Sequence, residues 1–361
     1  MYDYLIVGAG LFGATFGRLM TDAGKSCMII DKRNHVGGNV YTENSDGIHV
    51  HKYGPHIFHT SNDEIWNFVN KFTEFNNYIH RVKAYNNHKF YTLPFNLKTF
   101  NEIMGTQSPV LLEKFLNERE RDETNLETCA ISLVGEEVYE TLIKGYTEKQ
   151  WGRQATQLPA SIIKRIPVRL TFEDNYFNDK YQGIPVNGYT KMIENMTKDI
   201  PILLNQNFTH DMKDIAKKTV YTGPIDQFFN YALGRLEYRS LEFVEEEYEY
   251  NYYQGCAQIN YTNKEIPFTR IVEHKHFYPG LKTDKTITTR EFPVASGDPY
   301  YPIADEKNNK MFLEYKDMAS QKRPDVIFAG RLGNYKYYDM HQVIGQAMKY
   351  AKLEKEKSTN N

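Results

Sequence analysis

The chain has 361 residues, a length that allows two or three domains with a sizeable core. Its 44 Lys and Arg residues nearly balance its 46 Asp and Glu residues, which argues against a nucleic-acid-binding or membrane-surface protein. The three cysteines, Cys27, Cys129 and Cys256, are widely separated and predict buried thiols rather than a disulfide or a flavin-linked dithiol.

A glycine-rich turn lies between the apolar run 4–7 and a predicted helix that ends near Gly24. In Gly8-Ala-Gly10-Leu-Phe-Gly13, Gly8 permits a tight turn, Gly10 lets the backbone approach a pyrophosphate, and Gly13 lets helix and strand pack closely. The helix N-terminus adds N–H groups that attract phosphate. The pattern predicts a dinucleotide site, although the same glycines also occur where strand and helix only pack tightly.

The second predicted strand ends in Ile29-Ile30-Asp31, where a carboxylate can accept a hydrogen bond from a ribose hydroxyl. An acid here favours an unphosphorylated 2′-hydroxyl, so FAD or NAD is expected rather than NADP. The following segment contains Gly37-Gly38, which can be a surface turn or a close crossing of a cofactor. Because this double glycine resembles that of the glutathione-reductase-like flavoproteins, it favours FAD.

The next part of the chain predicts a helix, a hairpin and a helical region in succession. Residues 60–72 have helical spacing, and two short strand patterns within 82–92 predict a β-hairpin. Over 97–152 the pattern is helical, with Ser108 as an N-cap and Pro109 as the first helical residue. We therefore expect a small helical domain to be inserted here.

The second half of the chain first returns to the nucleotide-binding pattern and then changes period. A helix and two strands within 188–224 are typical of a chain that rejoins the first sheet. Alternating runs within 243–292 predict antiparallel strands, with a solvated edge at 245–247. A buried strand over 326–330 and a helix capped by Asp339 follow, and the charged tail 352–361 is expected to fray.

Four histidines lie within residues 49–59, and their spacing is compatible with a zinc site. No thiol or nearby carboxylate completes a ligand set, and strand alternation sends His56 and His59 to opposite faces, so no metal is expected. Gly54-Pro55 instead predicts a sharp turn that brings this segment over the flavin.

Arginines are the candidate anion-binding groups of the sequence. Arg165, Arg169, Arg239, Arg270 and Arg331 are widely spaced and lie beside tyrosines, of which the chain has 28. Each alone can be a solvated or structural cation, but planar guanidinium groups suit phosphates and aromatic rings suit a base. Together they predict a site for a nucleotide diphosphate.

Seven segments resemble the bacterial UDP-galactopyranose mutases, and the resemblance runs from Met1 to the last helix. The segments are 145–152 (GYTEKQWG), 158–169 (LPASIIKRIPVR), 174–176 (DNY), 181–185 (YQGIP), 221–226 (YTGPID), 273–277 (EHKHF) and 335–341 (YKYYDMH). They are far more specific than a glycine-rich turn. One departure is His80, which stands where relatives often have a small polar residue.

The resemblance implies an α/β fold: a Rossmann-like FAD-binding domain of the glutathione-reductase-like type, with an inserted helical domain and an antiparallel β-sheet domain. The expected FAD-binding domain is discontinuous and comprises 1–77, 185–237 and 316–361. The helical domain, on the substrate side, covers 97–157. The sheet domain comprises 78–96, 158–184 and 238–315.

Carried over by position, the resemblance also assigns site residues. The implied catalytic residues are Arg165, Arg270, Trp151, Asp339, His56 and His59. The implied substrate-binding residues are Tyr146, Tyr176, Arg239, Asn260, Tyr301 and Tyr337. The implied cofactor-binding residues are Gly8, Gly10, Phe12, Gly13, Asp31, Lys32, Gly38, Asn39, Arg331 and Met340.

Within these sets the resemblance implies separate roles. Arg165 and Arg270 would clamp the diphosphate, aided by three of the tyrosines. Tyr146 and Asn260 would hold the uridine, and Trp151 would lie near the sugar. Asp339 would stand near the sugar and the cofactor, Arg331 would touch the flavin, and the two histidines would belong to the segment over the isoalloxazine ring.

The implied reaction is the redox-neutral interconversion of UDP-α-D-galactopyranose and UDP-α-D-galactofuranose. It uses reduced FAD, with N5 as the nucleophile at the anomeric carbon, and supplies galactofuranose for cell-surface polysaccharide. Gly8-Ala-Gly10 is the only Gly-x-Gly in the chain, so no second unit for NAD(P)H is apparent. That suits a flavin that an external reductant reduces once rather than at every turnover.

Three alternatives remain open at this stage. The first is an FAD-dependent oxidoreductase of the amine-oxidase type, the second a non-catalytic FAD-binding scaffold, and the third a metal hydrolase. The resemblance also implies a homodimer. The chain begins in its first strand rather than in a leader peptide, and no stretch approaches the roughly 20 apolar residues of a membrane span, so a soluble cytoplasmic protein is expected.

Overall fold

The computed structural model describes residues 1–105, 108–164 and 166–359. Within them the chain divides into two compact units. Unit 1 comprises Met1–Asn77, Asp179–Tyr238 and Pro299–Asn361. Unit 2 comprises Tyr78–Asn178 and Arg239–Asp298.

The strands and helices are numbered in chain order. The strands are β1 Tyr2–Val7, β2 Cys27–Ile30, β3 Thr42–Ser45, β4 Ile48–His51, β5 Phe58–Thr60, β6 Val82–Asn86, β7 Lys89–Leu93, β8 Tyr181–Gly183, β9 Ile202–Leu203, β10 Ala216–Tyr221, β11 Tyr238–Tyr248, β12 Gln258–Tyr261, β13 Arg270–Glu273, β14 Thr286–Val294, β15 Tyr301–Pro302 and β16 Val326–Phe328. The α-helices are α1 Leu11–Thr21, α2 Asp63–Val69, α3 Leu97–Met104, α4 Pro109–Asn117, α5 Leu126–Val134, α6 Glu136–Val138, α7 Gly145–Trp151, α8 Ser161–Lys164, α9 Gly188–Met196, α10 Ile225–Phe228, α11 Glu306–Lys322, α12 Gly330–Gly333 and α13 Met340–Thr359.

Unit 1 is built on a parallel sheet with the strand order β16-β10-β1-β2-β9. The second half of its central strand β1 is apolar, and Leu5 and Ile6 are fully buried, as expected for a parallel sheet covered on both faces. Helix α1 links β1 to β2, and the Phe12 ring meets the edge of Tyr350 on α13. The predicted Rossmann-like domain is therefore confirmed.

The C-terminal tail differs from its prediction. Helix α13 continues to Thr359 instead of fraying after residue 352. The reason is Glu354, which is only 3% exposed and accepts hydrogen bonds from the Tyr4 hydroxyl at 3.0 Å and from Lys218 at 2.5 Å. These contacts anchor the charged end of the helix to the parallel sheet.

Unit 2 contains a mixed sheet in the order β11-β14-β13-β12-β6-β7. The predicted antiparallel pairs are present, including the hairpin of β6 and β7. However, β12 and β6 pair in parallel, so the sheet is not wholly antiparallel as predicted. The helical part of the chain separates these two strands in sequence, and a long connection of this kind allows a parallel pairing.

The predicted helical part shares its core with this sheet. Val82, Ala84 and Leu93 of the hairpin pack in the same cluster as Leu126 and Val138 of the helices. The helices therefore belong to unit 2 rather than forming a unit of their own. The observed division also differs from the predicted one at 179–184, Tyr238 and 299–315, which belong to unit 1.

Polar caps start several helices, as the sequence indicates. Ser108 caps α4 by accepting a hydrogen bond from the Leu111 N–H at 3.3 Å, and Pro109 occupies the first turn, which confirms that prediction. The Asn62 side chain caps α2, which is shorter than predicted and ends at Val69. Among the helices of the described ranges, none combines the length and the apolar composition that a membrane span requires.

The cysteines are buried or half-buried, as predicted. Burial raises the pKa of Cys27 and of Cys256 to about 11, and it also raises the pKa of Cys129. These thiols therefore stay protonated at neutral pH and are poor nucleophiles.

Candidate functional site

The glycine-rich turn of unit 1 brings backbone against backbone. Gly8 has φ +113°, and a Cβ there would lie 2.1 Å from Thr222 Oγ1. A Cβ on Gly13 would lie 2.0 Å from the Gly8 carbonyl oxygen, so only glycine lets α1 approach β1 this closely. No side chain caps the N-terminus of α1, where Gly10 is the N-cap. The first N–H groups of the helix are thus unsatisfied by any capping side chain.

Asp31 stands directly after β2 and ties this turn to the next loop. One carboxylate oxygen accepts a hydrogen bond from Ala9 N at 2.7 Å, and the other accepts from Arg33 N at 2.9 Å. Each oxygen has a further lone pair, so the carboxylate can still accept from a ribose hydroxyl. Gly38 lies against Gly10, because a Cβ built on Gly38 would come within 3.1 Å of the Gly10 Cα.

The other predicted cofactor residues of this region differ in exposure. The Phe12 side chain is 3% exposed and packs on Phe16, so its backbone N–H is the group on offer to a ligand. Lys32 is exposed, and Asn39 accepts a hydrogen bond from the Arg33 guanidinium at 3.1 Å. Met340 is half-buried as the first residue of α13.

Arg331 lies among tyrosines in unit 1. Its guanidinium donates to the Tyr300 carbonyl, and Tyr337, Tyr301 and Tyr238 are close enough to influence its pKa. The Tyr301 and Tyr337 rings stack with centroids 5.9 Å apart. Burial lowers the pKa of Arg331, and no carboxylate of the described residues forms an ion pair with it. A half-buried arginine without a carboxylate partner is complementary to an anionic ligand.

The histidine segment meets two carboxylates and a further histidine. His59 Nδ1 lies 2.6 Å from Asp179 Oδ2, and the His59 ring meets His341 with centroids 5.1 Å apart. Asp339 also lies in this cluster. His56 lies outside it, since it precedes β5 and its Nδ1 contacts the Gly54 carbonyl at 2.8 Å.

Burial and neighbouring groups together set the pKa values of Asp179 and His341. Burial raises the pKa of Asp179, but hydrogen bonds from His59 and Ser61 outweigh it, so the pKa lies below its usual value. For His341, burial lowers the pKa, and the neighbouring His59 lowers it further. Asp179 is therefore ionised and His341 neutral at neutral pH.

Of the four histidines considered as metal ligands, the structure groups only His59 with other possible ligands. A ring nitrogen of His59, a ring nitrogen of His341 and a carboxylate oxygen of Asp339 lie within 4.8 Å of one another as potential ligand atoms. However, Asp179 already contacts the Nδ1 of His59. This contact uses one ring nitrogen of His59 and does not involve Nε2.

In unit 2, three polar residues form one row across the sheet. Asn260 and Arg270 are predicted from the sequence, and the structure adds Glu291. Asn260 of β12 stands opposite Arg270 of β13, which stands opposite Glu291 of β14. Directly opposite residues project from the same face of a sheet. Arg270 Nε donates to Glu291 Oε2 at 2.8 Å, and Glu291 is 1% exposed. Gln258 donates to the Asn260 side-chain oxygen at 2.8 Å.

Helix α7 carries two predicted residues, Tyr146 and Trp151, both half-buried. It follows a π-helix over Tyr139–Lys144, whose irregular bonding leaves the Thr141 carbonyl to accept hydrogen bonds from side chains of the sheet. Gly145 allows close contact with the loop after β12, because a Cβ there would lie 2.1 Å from the Thr262 carbonyl oxygen.

Arg239 caps the C-terminal end of α7. Its guanidinium donates to the carbonyls of Gln150 at 3.0 Å and Lys149 at 3.4 Å. The helix ends at Gly152, where a Cβ would come within 2.9 Å of the guanidinium. Arg239 thus stabilises the helix that carries Trp151, in addition to any role in substrate binding.

Tyr176 lies beside His80 in unit 2. Its N–H donates to the His80 carbonyl at 2.8 Å, and the two rings meet edge to face at 5.4 Å. His80 is 3% exposed, and its Nδ1 contacts the Tyr78 hydroxyl at 3.0 Å. His80, the residue that departs from the family pattern, therefore packs in an aromatic cluster next to Tyr176, a predicted substrate-binding residue.

The predicted residues thus lie in several local groups: the glycine-rich turn with Asp31, the tyrosines around Arg331 and the cluster of His59 with Asp339 in unit 1, and the row of Asn260 with Arg270, helix α7 and the surroundings of Tyr176 in unit 2. Arg165 lies outside the described residues. Sequence reasoning missed Asp179, Glu291 and Lys149. The Lys149 ammonium donates to three backbone carbonyls, those of Tyr261, Ile266 and Phe268, at 2.8 to 3.0 Å. The partners of these three residues are distant in sequence. The only local signal for such a residue is a polar side chain at a position where the pattern predicts an apolar one.

Comparison with known proteins identifies the family. A family model described as UDP-galactopyranose mutase matches residues 141–337, and one described as an NAD(P)-binding Rossmann-like domain matches residues 6–72. The chain is 40% identical to a probable UDP-galactopyranose mutase of Klebsiella pneumoniae, over 97% of this chain and 94% of that protein. It is 37% identical to dTDP-fucopyranose mutase of Escherichia coli, over 98% of each chain.

Solved structures agree on the fold. A crystal structure of reduced UDP-galactopyranose mutase superposes with a TM-score of 0.74 at 12% identity, covering 97% of this chain and 95% of that chain. At this identity the match shows a shared fold, whereas the family follows from the sequence matches. The chain therefore belongs to the UDP-galactopyranose mutase family and is an enzyme of the isomerase type.

Proposed function

We propose that the enzyme interconverts UDP-α-D-galactopyranose and UDP-α-D-galactofuranose with reduced FAD as its cofactor. The observation that carries the proposal is the row of Asn260, Arg270 and Glu291, on which a candidate uridine group and a candidate phosphate group stand side by side. The relatives named as UDP-galactopyranose mutases support the choice of substrate.

FAD is supported by the residues of unit 1. The N-terminus of α1 offers N–H groups to the pyrophosphate, and Asp31 can accept from a ribose hydroxyl. The half-buried cation of Arg331 is complementary to the negative charge that a reduced flavin carries near its N1–C2 edge. Asp339, Met340, Lys32, Asn39 and His56 join this site as proposals from the family resemblance.

Reduced FAD, when bound, would supply N5 as a nucleophile for the anomeric carbon. The residues of this chain have other tasks. Arg270, held at Nε by Glu291, neutralises the diphosphate with Arg165, and UDP is thereby retained after it leaves the sugar. Tyr176, Tyr301 and Tyr337 assist these arginines.

The uridine and the sugar are assigned to other side chains. Tyr146 and Asn260 hold the uridine, and Trp151 lies near the sugar. Arg239 supports Trp151 by capping α7 and belongs to the substrate site in the same proposal. The product supplies galactofuranose for cell-surface polysaccharide, and the enzyme acts in the cytoplasm as a homodimer whose flavin is reduced by an external reductant.

A second candidate substrate comes from the relative in Escherichia coli, which is named dTDP-fucopyranose mutase and is 37% identical. The two substrates differ at the base, at the ribose 2′ position and at the sugar. The rearrangement would be the same, so the proposed roles of Arg270 and Arg331 do not depend on which substrate is used.

The decisive experiment reduces the purified protein with dithionite and supplies UDP-galactofuranose or dTDP-fucofuranose in parallel. Formation of UDP-galactopyranose at the higher kcat/KM supports the first candidate, and preference for the dTDP sugar supports the second. The oxidised protein should bind UDP without turnover. Stoichiometric consumption of oxygen or NAD(P)H would instead indicate an oxidoreductase of the amine-oxidase type.

A further inference from the structure

Asp179 and His59 form a short hydrogen bond within unit 1. The distance from His59 Nδ1 to Asp179 Oδ2 is 2.6 Å, and Ser61 donates to the other carboxylate oxygen at 2.7 Å. The pairing of β5 with β8 fixes this arrangement, since His59 stands opposite Gln182 just beyond Asp179. The carboxylate is therefore held from two sides and is directed at one nitrogen of His59.

An ionised carboxylate can only accept hydrogen bonds, so His59 Nδ1 must carry the proton. Hydrogen bonds from His59 and Ser61 keep the pKa of Asp179 below its usual value despite burial, so the carboxylate is ionised at neutral pH. The other ring nitrogen, Nε2, is then the one that can exchange hydrogen bonds with a ligand. A hydrogen bond at one imidazole nitrogen sets the tautomer and direction of the other.

The other titratable groups that face His59 come from the start of α13. They are His341 and Asp339, whose possible ligand atoms lie within 4.8 Å of one another and of His59. Burial lowers the pKa of His341, so His341 does not compete with His59 for the proton shared with Asp179.

We propose that Asp179 is a positioning residue of the reaction, which holds His59 in the Nδ1–H tautomer and directs its Nε2 to the cofactor and the sugar. The inference rests on the proposed function, because that function places the His59 segment over the flavin. Asp179 itself touches neither substrate nor cofactor and acts through His59. Ser61 supports it by fixing the second carboxylate oxygen.

The first test reads the tautomer directly in the complete FAD-bound protein. Nitrogen-15 NMR of histidine-labelled protein at neutral pH should show a His59 signal with Nδ1 protonated, assigned by its loss in His59→Gln. In Asp179→Ala the same signal should shift toward the Nε2–H tautomer. An unprotonated Nδ1 in the wild-type protein, or an unchanged tautomer in Asp179→Ala, overturns the proposal whether or not the protein has mutase activity.

The second test separates positioning from general structural support. Asp179→Asn should lower kcat by roughly 100-fold, the lower end of what a positioned proton-transfer group contributes. The KM should change by less than about twofold, because no substrate contact is removed. Ser61→Ala should have a smaller effect in the same direction, and the acidic limb of the kcat–pH profile should move in both variants.

Asp63→Asn is the matched control. Asp63 also joins residues near β8, since it accepts from Lys180 at 2.8 Å and from the Tyr181 hydroxyl at 2.7 Å, but it does not contact His59. It should leave kcat and the pH profile unchanged. Equal losses of kcat in the Asp63 and Asp179 variants would assign Asp179 a purely structural role, whereas a wild-type protein without mutase activity would contradict only the proposed function.

Discussion

The candidate sites of the two units are built from different parts of the chain. In unit 1, contiguous backbone forms the site: Gly8, Gly10 and Gly13 bring β1, α1 and the next loop into contact. In unit 2, side chains from separate strands form it, with Asn260, Arg270 and Glu291 in one row. Substitutions should therefore act through backbone fit in unit 1 and through charge and hydrogen bonding in unit 2.

The largest effect is expected at Gly13. A methyl group there would lie 2.0 Å from the Gly8 carbonyl oxygen and 3.0 Å from the Ile6 side chain, and the backbone cannot yield without separating α1 from β1. Gly13→Ala should therefore cost more than about 4 kcal/mol of unfolding free energy, the range of severe core changes. Thermal unfolding and the FAD content of purified protein measure the loss.

Gly10→Ala is the matched comparison, because its Cβ would make ordinary contacts with the Gly38 Cα at 3.7 Å and the Gly37 carbonyl oxygen at 3.9 Å, and its φ of −83° suits any residue. The variant should fold with wild-type stability to within about 1 kcal/mol. It should nevertheless contain less FAD, since the added methyl group occupies the approach of the pyrophosphate. Wild-type FAD content in Gly10→Ala would show that the pyrophosphate does not bind against the Gly10 backbone.

The second effect concerns the charge pair of unit 2. Arg270→Ala leaves the buried Glu291 carboxylate without its cation, which typically costs about 3–5 kcal/mol of stability. The same variant should lose about 10- to 100-fold in UDP affinity, the value of a charge-assisted contact. Unfolding curves and titration with UDP give the two quantities separately.

A double variant separates stability from binding at this pair. Replacing both residues, Arg270→Leu with Glu291→Leu, should restore most of the stability, because neither charge is then buried alone. UDP affinity should stay low. Arg290→Ala serves as the control, since Arg290 projects from the opposite face of β14 and contacts Glu246 and the Tyr253 hydroxyl. Recovery of UDP binding in the double variant would remove Arg270 from the site.

The same contrast explains what the sequence could predict. The turn from Gly8 to Gly13, Asp31 and the cap at Ser108 depend on neighbours a few residues away, so their spacing carries the information. The pairing of Arg270 with Glu291 depends on strand register over about 20 residues of separation, which no local pattern specifies.

Two further differences have the same cause. The hydrogen bond from His59 to Asp179 spans 120 positions of the sequence, and the contact of Glu354 with Tyr4 spans 350. The second contact is why the charged tail is helical instead of frayed. Charge alone predicted a solvated segment, and only the folded sheet reveals the partners that bury one of its carboxylates.

The third prediction concerns Lys149, which supports the loop after β12. Lys149→Met should leave three backbone carbonyls without their donor and cost about 2–3 kcal/mol, since each unsatisfied buried acceptor is unfavourable. The loop begins beside Asn260, so a modest loss of UDP affinity should accompany it. Lys144→Met is the control, because Lys144 pairs with Glu140 on the exposed side of the neighbouring turn.

The contribution of Lys149 to the free energy of unfolding should depend on pH in one direction. Burial lowers the pKa of Lys149 to about 8, below the 10.5 of the unfolded chain. Between these values the unfolded chain binds more protons than the folded protein, so the Lys149 contribution to stability rises with pH. The difference in unfolding free energy between wild type and Lys149→Met should therefore grow in favour of wild type from pH 8 to pH 10. A difference that falls over this range would contradict the assigned pKa.

The fourth prediction returns to unit 1. Asp31→Ala removes the acceptor for Ala9 N and Arg33 N as well as the proposed ribose contact. FAD affinity should fall by about 10- to 100-fold, as for the loss of one hydrogen bond to a charged group. Asp22→Ala is the control, since Asp22 pairs with Arg18 at the far end of α1. Flavin fluorescence on dilution measures the affinity, and equal retention of FAD in the two variants would exclude a role for Asp31.

The smallest effect is expected where only one hydroxyl is removed from the tyrosines around Arg331. Tyr337 is 41% exposed and stacks on Tyr301, so Tyr337→Phe keeps the ring contact and deletes the hydroxyl alone. The loss should be about 0.5–1.5 kcal/mol in UDP binding with no change in unfolding temperature. Tyr338→Phe is the neighbouring control, because the Tyr338 hydroxyl accepts a hydrogen bond from Gln346 within the same unit. If Tyr338→Phe weakened UDP binding as much as Tyr337→Phe, the effect would come from the segment rather than from a contact with the diphosphate.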